Sequence, residues 1–255
     1  YALFMDPLNG VADIEVRTLR LVQNYGFYEE SSRMVRATRF LARFGWTLEE
    51  RTQTRYNTAK EEEYLKGIAK SALGYELEQV MHEPDPLTVM RALEAEGYLT
   101  LLFPGWSLKN VDEAALTRIA ETRDKLAALG RSVDTSMAYA EFVTRRLPEK
   151  ELQAMQKMMP RKGFVEAWNA QEDEAKELAK RLTSREAELP SQAWKLLSEA
   201  KPEIILYLAV TSKQQAVQFR LEDYFVNWPQ QRSRLPFALM TEMRITPELP
   251  IYPTL

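Results

Sequence analysis

Between Arg17 and Arg55 the sequence carries eight arginines, no lysine and four acids, Glu29, Glu30, Glu49 and Glu50. The segment has a local excess of positive charge, whereas the whole chain of 255 residues carries −3 at neutral pH. The choice of arginine matters. A planar guanidinium can clamp a phosphate through two parallel hydrogen bonds or stack on a base, whereas a lysine acts as a point charge. A neighbouring carboxylate can accept from an exocyclic amine, so a Glu-plus-Arg pair can offer both acceptors and donors to a base edge. At about 100° per residue, Glu29, Arg33, Arg36, Ala37, Phe40 and Arg43 share one broad helix face, with Met34 and Leu41 on a flank toward the core. The same residues also fit a solvated helix laced by Glu29–Arg33 and Glu30–Arg33 ion pairs. Composition alone leaves both readings open.

Other chemistries are excluded by residue inventory. There is no cysteine and one histidine, His82, so disulfides, thiolate metal sites, cysteine nucleophiles and multi-histidine metal centres are ruled out. With Glu78 one turn before it, His82 reads as a side chain at a helix end. No apolar run approaches the roughly 20 residues of a membrane-spanning helix, so no membrane partner is expected, and the location expected is cytoplasmic. The net charge gives no bulk attraction to nucleic acid, so any such binding needs a local patch. Lys157, Arg161 and Lys162 form one basic cluster that suits either phosphate contact or a solvated loop. The five tryptophans are dispersed and fit packing better than base stacking.

The elements that must position these residues are helical. Helix-period patterns dominate, and the expected fold class is all-α, with a strand only at Tyr1–Met5 and a turn at Asp6-Pro7-Leu8-Asn9-Gly10. Four parts are read along the chain. Residues 1–26 are an opening segment with one strand end, a turn and a short helix, residues 27–70 a compact helical unit, and residues 71–130 a second one with a helix start at Pro84-Asp85-Pro86-Leu87. Residues 131–255 continue as helices with charged faces such as Glu172–Glu177, then a proline-rich, loop-like end.

The segment Phe27 to Gly45 resembles the neck of the bacterial-type tRNA nucleotidyltransferase and poly(A) polymerase family, whose pattern is Phe-x-Glu-Asp-Pro-x-Arg-x-x-Arg-Ala-x-Arg-Phe-x-x-Arg-x-Gly. Upstream, Asp6-Pro7-Leu8-Asn9-Gly10-Val11-Ala12-Asp13 and Leu19-Arg20 resemble the Asp-Pro-x-x-Gly-x-x-Asp and Leu-Arg elements where the family's catalytic head joins the neck. Ile68 to Trp106, with Leu102-Phe103-Pro104, is similar to the body helices, and the helix from Pro202-Glu203 to Leu208 to the tail. The sequence departs from the pattern at Glu30, where the family has Asp, at Ser31, where it has Pro, and at the tail glycines, which are replaced.

The resemblance implies a neck, body and tail in sequence. It implies that Glu30, Arg33, Arg36 and Arg39 serve nucleotide binding, and that Asp6, Gly10, Asp13 and Arg20 form the head–neck junction. The implied substrates are ATP, with CTP as a second candidate, and a tRNA or other RNA 3′ end. The family's head holds Mg²⁺ on an Asp-x-Asp pair beside a Gly-rich turn, and neither motif occurs here. The expectation is therefore a C-terminal part that works with its own N-terminal head, has no metal site or catalytic residue of its own and is inactive alone. The alternative is a non-catalytic RNA-binding or assembly module on the same scaffold, and a third reading is a helical scaffold for protein partners.

Overall fold

The computed structural model describes residues 5–109 and 111–230. The expected strand at Tyr1–Met5 falls almost wholly outside them, and the loop-like end beyond residue 230 lies outside them too. The described residues form α1 (Gly10–Glu15), α2 (Gly26–Glu29), α3 (Ser32–Phe44), α4 (Glu50–Glu61), α5 (Lys70–Met81), α6 (Pro86–Ala95) and α7 (Tyr98–Leu102). They continue with α8 (Glu113–Ala128), α9 (Ser136–Thr144), α10 (Glu149–Met158), α11 (Lys162–Leu182), α12 (Pro190–Glu199), α13 (Pro202–Thr211) and α14 (Gln215–Glu222). The fold is all-α apart from two dipeptide strands, β1 (Thr18–Leu19) and β2 (Thr47–Leu48), which pair in parallel with Thr18 opposite Thr47. No helix among the described residues is long and apolar enough to cross a membrane.

The helices gather into two compact units. The first holds the chain up to Leu116 together with Asp134–Asn169; the second holds Thr117–Val133 and the described residues from Ala170 onward. In the first unit α3 is central, packing on α5 and α6. Met34, Val35, Ala37 and Thr38 are buried at helical spacing, the stripe expected of a helix with one face in a core. The helix stops at Gly45, whose φ of 64° lies in the left-handed region and lets its N–H reach the Leu41 carbonyl at 2.9 Å. The helix start read at Pro84–Leu87 is present: Pro86 occupies the first turn of α6, and Asp85 accepts from the Thr88 N–H at 3.2 Å.

In the second unit α13 buries Ile204, Ile205, Leu206, Tyr207, Leu208 and Val210. A helix apolar on nearly all sides sits inside its unit rather than at the rim. The Arg131 guanidinium donates to the Leu197 carbonyl and the Tyr224 hydroxyl, each at 2.8 Å. It thus satisfies a carbonyl at the end of α12 that the helix itself leaves without a partner.

Gly74 on α5 marks a close backbone approach in the first unit. A β-carbon there would overlap the Met158 carbonyl at the end of α10, a backbone atom that cannot swing aside. Gly74→Ala is expected to lower stability by about 1–3 kcal/mol, the usual cost of overpacking, as measured by urea unfolding.

Candidate nucleotide-binding groove

The groove is built on a rigid opening segment. Asp6 accepts from the Gly10 and Val11 N–H groups at 2.9 and 2.8 Å, closing the turn before α1. Those two donors hold its carboxyl below the usual aspartate range. Asp13 on α1 is buried, and its two oxygens take one edge of the Arg20 guanidinium, Nε at 2.8 Å and Nη2 at 2.7 Å. This fork geometry fixes the Arg20 side chain and holds the Asp13 carboxyl low. Leu21 N–H donates to the buried Thr52 hydroxyl at 3.0 Å, and the Thr52 N–H donates to Glu49 at 3.0 Å, tying residues 19–23 to the start of α4.

A groove of about 380 Å³ opens beside this segment. Residues 19–23 line it together with Arg33, Arg36, Ala37 and Phe40 of α3, with Phe27, Leu48 and Thr52 completing it. The size falls in the range of small-molecule sites. Arg33 is partly exposed; its Nη1 donates to the Gly26 carbonyl at 3.1 Å and lies 3.6 Å from Glu29. The ion pair read between Glu29 and Arg33 is thus present but loose. The one read between Glu30 and Arg33 is not formed: Glu30 sits in the break between α2 and α3, and its carboxylate accepts from the Ser32 hydroxyl at 2.6 Å.

Arg36 and Arg39 are placed differently. Arg36 is half-exposed in the groove, with its Nε bonded to Glu76 at 2.7 Å. Arg39 is 8% exposed, bonded to Glu83 at 2.6 Å and to Glu76 at 3.3 Å, so it cannot touch a ligand in the groove. Arg43 reaches the other oxygen of Glu83 at 3.3 Å. Three arginines on successive turns thus alternate with two buried glutamates. Neither glutamate was singled out from the sequence. The only hint in sequence is that Glu76 and Glu83 sit among buried Leu77, Val80 and Met81.

Of the predicted residues, Arg20, Arg33 and Arg36 meet in the groove, while Asp6, Gly10 and Asp13 hold the opening segment behind Arg20 and do not line it. Leu21, Val22, Gln23 and Thr52 were not singled out from sequence, because the groove depends on the β1–β2 pair, whose two-residue strands are too short for any alternation to show. The basic cluster at Lys157–Lys162 is partly consumed: Arg161 pairs with buried Glu78 and donates to His82 Nε2 at 3.1 Å. His82 Nδ1–H in turn donates to the Glu78 carbonyl at 2.8 Å, the helix-end role read for it.

Two outcomes follow from these contacts. Arg39→Ala leaves two buried carboxylates short of a partner and is expected to cost about 3–5 kcal/mol by urea unfolding; Arg36→Ala, at a half-exposed position, costs less. The Asp13 carboxyl titrates below its ordinary 3.8, so its pair with Arg20 contributes stability above that pH and loses it as the pH falls through the folded value. In Arg20→Gln the Asp13 midpoint rises toward 3.8, as read by carboxyl ¹³C NMR.

No family model matches the chain. It is 24% identical over 152 residues to an A-adding tRNA nucleotidyltransferase of Geobacter sulfurreducens, a match covering 59% of this chain and 17% of that protein. It is 32% identical over 103 residues to a multifunctional CCA protein of Thioalkalivibrio sulfidiphilus, covering 39% of this chain and 25% of that protein. The matches thus take in a quarter or less of the length of either relative. Its fold is similar to that of a Thermotoga maritima CCA-adding enzyme solved with tRNA, with a TM-score of 0.53 at 19% identity over 97% of this chain and 60% of that one. In the sequence of its matched segments and in its fold, the chain resembles the A-adding and CCA-adding tRNA nucleotidyltransferases.

Proposed function

We propose that this chain is the nucleotide-positioning and RNA-holding helical part of a tRNA 3′-end nucleotidyltransferase, with ATP, and CTP as a second candidate, in the groove. The observation that carries this reading is the arginine-lined groove itself. Arg33 spends Nη1 on the Gly26 carbonyl and a loose pair with Glu29, and the rest of its planar fork is left for a base edge. Glu30, three residues earlier and exposed, is the acceptor assigned to the same base, from outside the groove's lining. Arg36 and Arg20 add positive charge for the polyphosphate, and each is pinned by a carboxylate on one edge of its guanidinium. Arg39 acts through Glu76, the carboxylate it shares with Arg36, as a positioning residue. The apolar lining, Phe27, Phe40 and Leu48, suits the face of a base.

Two-metal phosphoryl transfer needs clustered carboxylates to hold the ions. Among the described residues no group of three or more acidic or imidazole side chains could hold a metal ion. We assign no transfer step to these residues. Their work is to bind, orient and exclude water around the incoming nucleotide.

A charge-assisted hydrogen bond is worth about 1.5–3 kcal/mol. Arg33→Ala is accordingly expected to weaken ATP binding by this chain, and nucleotide addition to tRNA by the full-length protein, by roughly one to two orders of magnitude. The thermal midpoint should hold, because a half-exposed ion pair contributes little. Arg33→Lys restores part of the loss, since it returns the charge without the fork. Unchanged ATP affinity in Arg33→Ala, or loss of the fold, would remove the assignment.

A further inference from the structure

A second cleft in the same unit lies away from the groove. Gly105–Ser107, the Val111–Asp112 step into α8 and the stretch from Phe142 to Leu147 at the end of α9 line a cavity of about 210 Å³. Trp106, Phe142, Val143 and Leu147 are buried and give it apolar sides. Arg145 and Arg146, consecutive in sequence, are exposed and both line it. The Arg145 guanidinium carbon lies over the Phe142 ring, 5.1 Å from its centroid, a cation–π contact that occupies no N–H donor. Neither guanidinium has an ion-pair partner among the described residues. The one acid in the lining, Asp112, spends an oxygen on the Ala115 N–H at 3.0 Å. Cations at a helix C-terminus complement its dipole. That accounts for basic residues at the end of α9, but not for two of them sharing a preformed apolar cleft.

The cleft is about half the size of the groove. Two guanidinia lining one cleft match the oxygens of one phosphate group, and the aromatic and aliphatic sides match the body of a sugar. We propose that this cleft seats one sugar–phosphate unit of an RNA strand, with Arg145 and Arg146 on the phosphate and Trp106, Phe142 and Leu147 against the ribose. The choice of RNA as the phosphate source rests on the function proposed above; the cleft's preference for a phosphate does not.

The test uses the chain and a fluorescein-labelled RNA hairpin with a single-stranded 3′ extension, followed by anisotropy across a KCl series. Arg145→Gln/Arg146→Gln is expected to weaken RNA binding about tenfold and to reduce the slope of log affinity against log salt by about 0.7–0.9, the share of one phosphate. Gly105→Leu separates the cleft from its charge. The backbone at Gly105 is not left-handed, and nothing lies within 4 Å of a β-carbon there, so a β-carbon is accommodated without a clash. It keeps both arginines and is expected to lose comparable RNA affinity with an unchanged thermal midpoint. Wild-type binding by Gly105→Leu would mean that the arginines act only as diffuse surface charge and would overturn the proposal. So would unchanged affinity and slope in the double variant. Arginine-dependent binding of ribose 5-phosphate with no effect on RNA would assign the cleft to a free metabolite and overturn the RNA occupant. Retained ATP affinity in Arg33→Ala would undo the groove assignment and leave this one standing, so the two fail separately.

Discussion

Glu76 and Glu83 carry almost no solvent exposure, and each is shared by two arginines of α3. A carboxylate in such a place is strongly unfavourable alone, and a guanidinium such as Arg39 equally so; together they are tolerable because each bonds the other. The alternating chain of three cations and two anions carries one surplus positive charge, and that surplus sits at the solvent-facing ends, Arg36 and Arg43. The network therefore locks α3 to α5 and the turn after it while leaving net positive charge where a ligand can meet it. Replacing it by apolar residues could preserve the packing of α3 but would abolish that property of the groove.

Much of this was legible in the sequence. The α3 face was readable because a helix repeats every 3.6 residues, so Arg33, Arg36, Ala37 and Phe40 had to fall together. The α6 start was readable because proline and aspartate each satisfy a specific deficiency of a first helical turn. The separation of Arg39 from Arg36 was not readable: both lie near the same face, and only the partner helix decides which one is buried. Nor was the α2–α3 break, which places Glu30 outside both helices; acidic residues and serines signal a start without fixing its position to the residue. The opening segment was read as a strand end, a turn and a short helix, and the structure adds that Asp13 orients Arg20 across seven residues of sequence.

Behind the groove lies a second polar cluster. The Tyr56 and Tyr98 hydroxyls bond each other, Thr38 bonds Tyr56 at 3.0 Å, and Glu96 accepts from Tyr56 at 3.1 Å. Burial pushes the Tyr98 phenol up to about 12 and raises Tyr56 as well. A satisfied network of this kind ties α3, α4 and α7 to one arrangement, because any shift of one helix strands a hydroxyl away from water. It thus supports α3 from the side opposite the glutamates.

The lining of the groove contains arginines, apolar groups, a glutamine and a threonine, and neither an imidazole nor a thiol. Nothing in that list gains or loses a proton near neutrality. The recognition surface is electrically constant there, so any variation of nucleotide affinity between mildly acidic and mildly basic solution would originate in the ligand. A terminal phosphate, whose second ionisation falls near 6, would bring its own pH dependence to a groove whose lining supplies none.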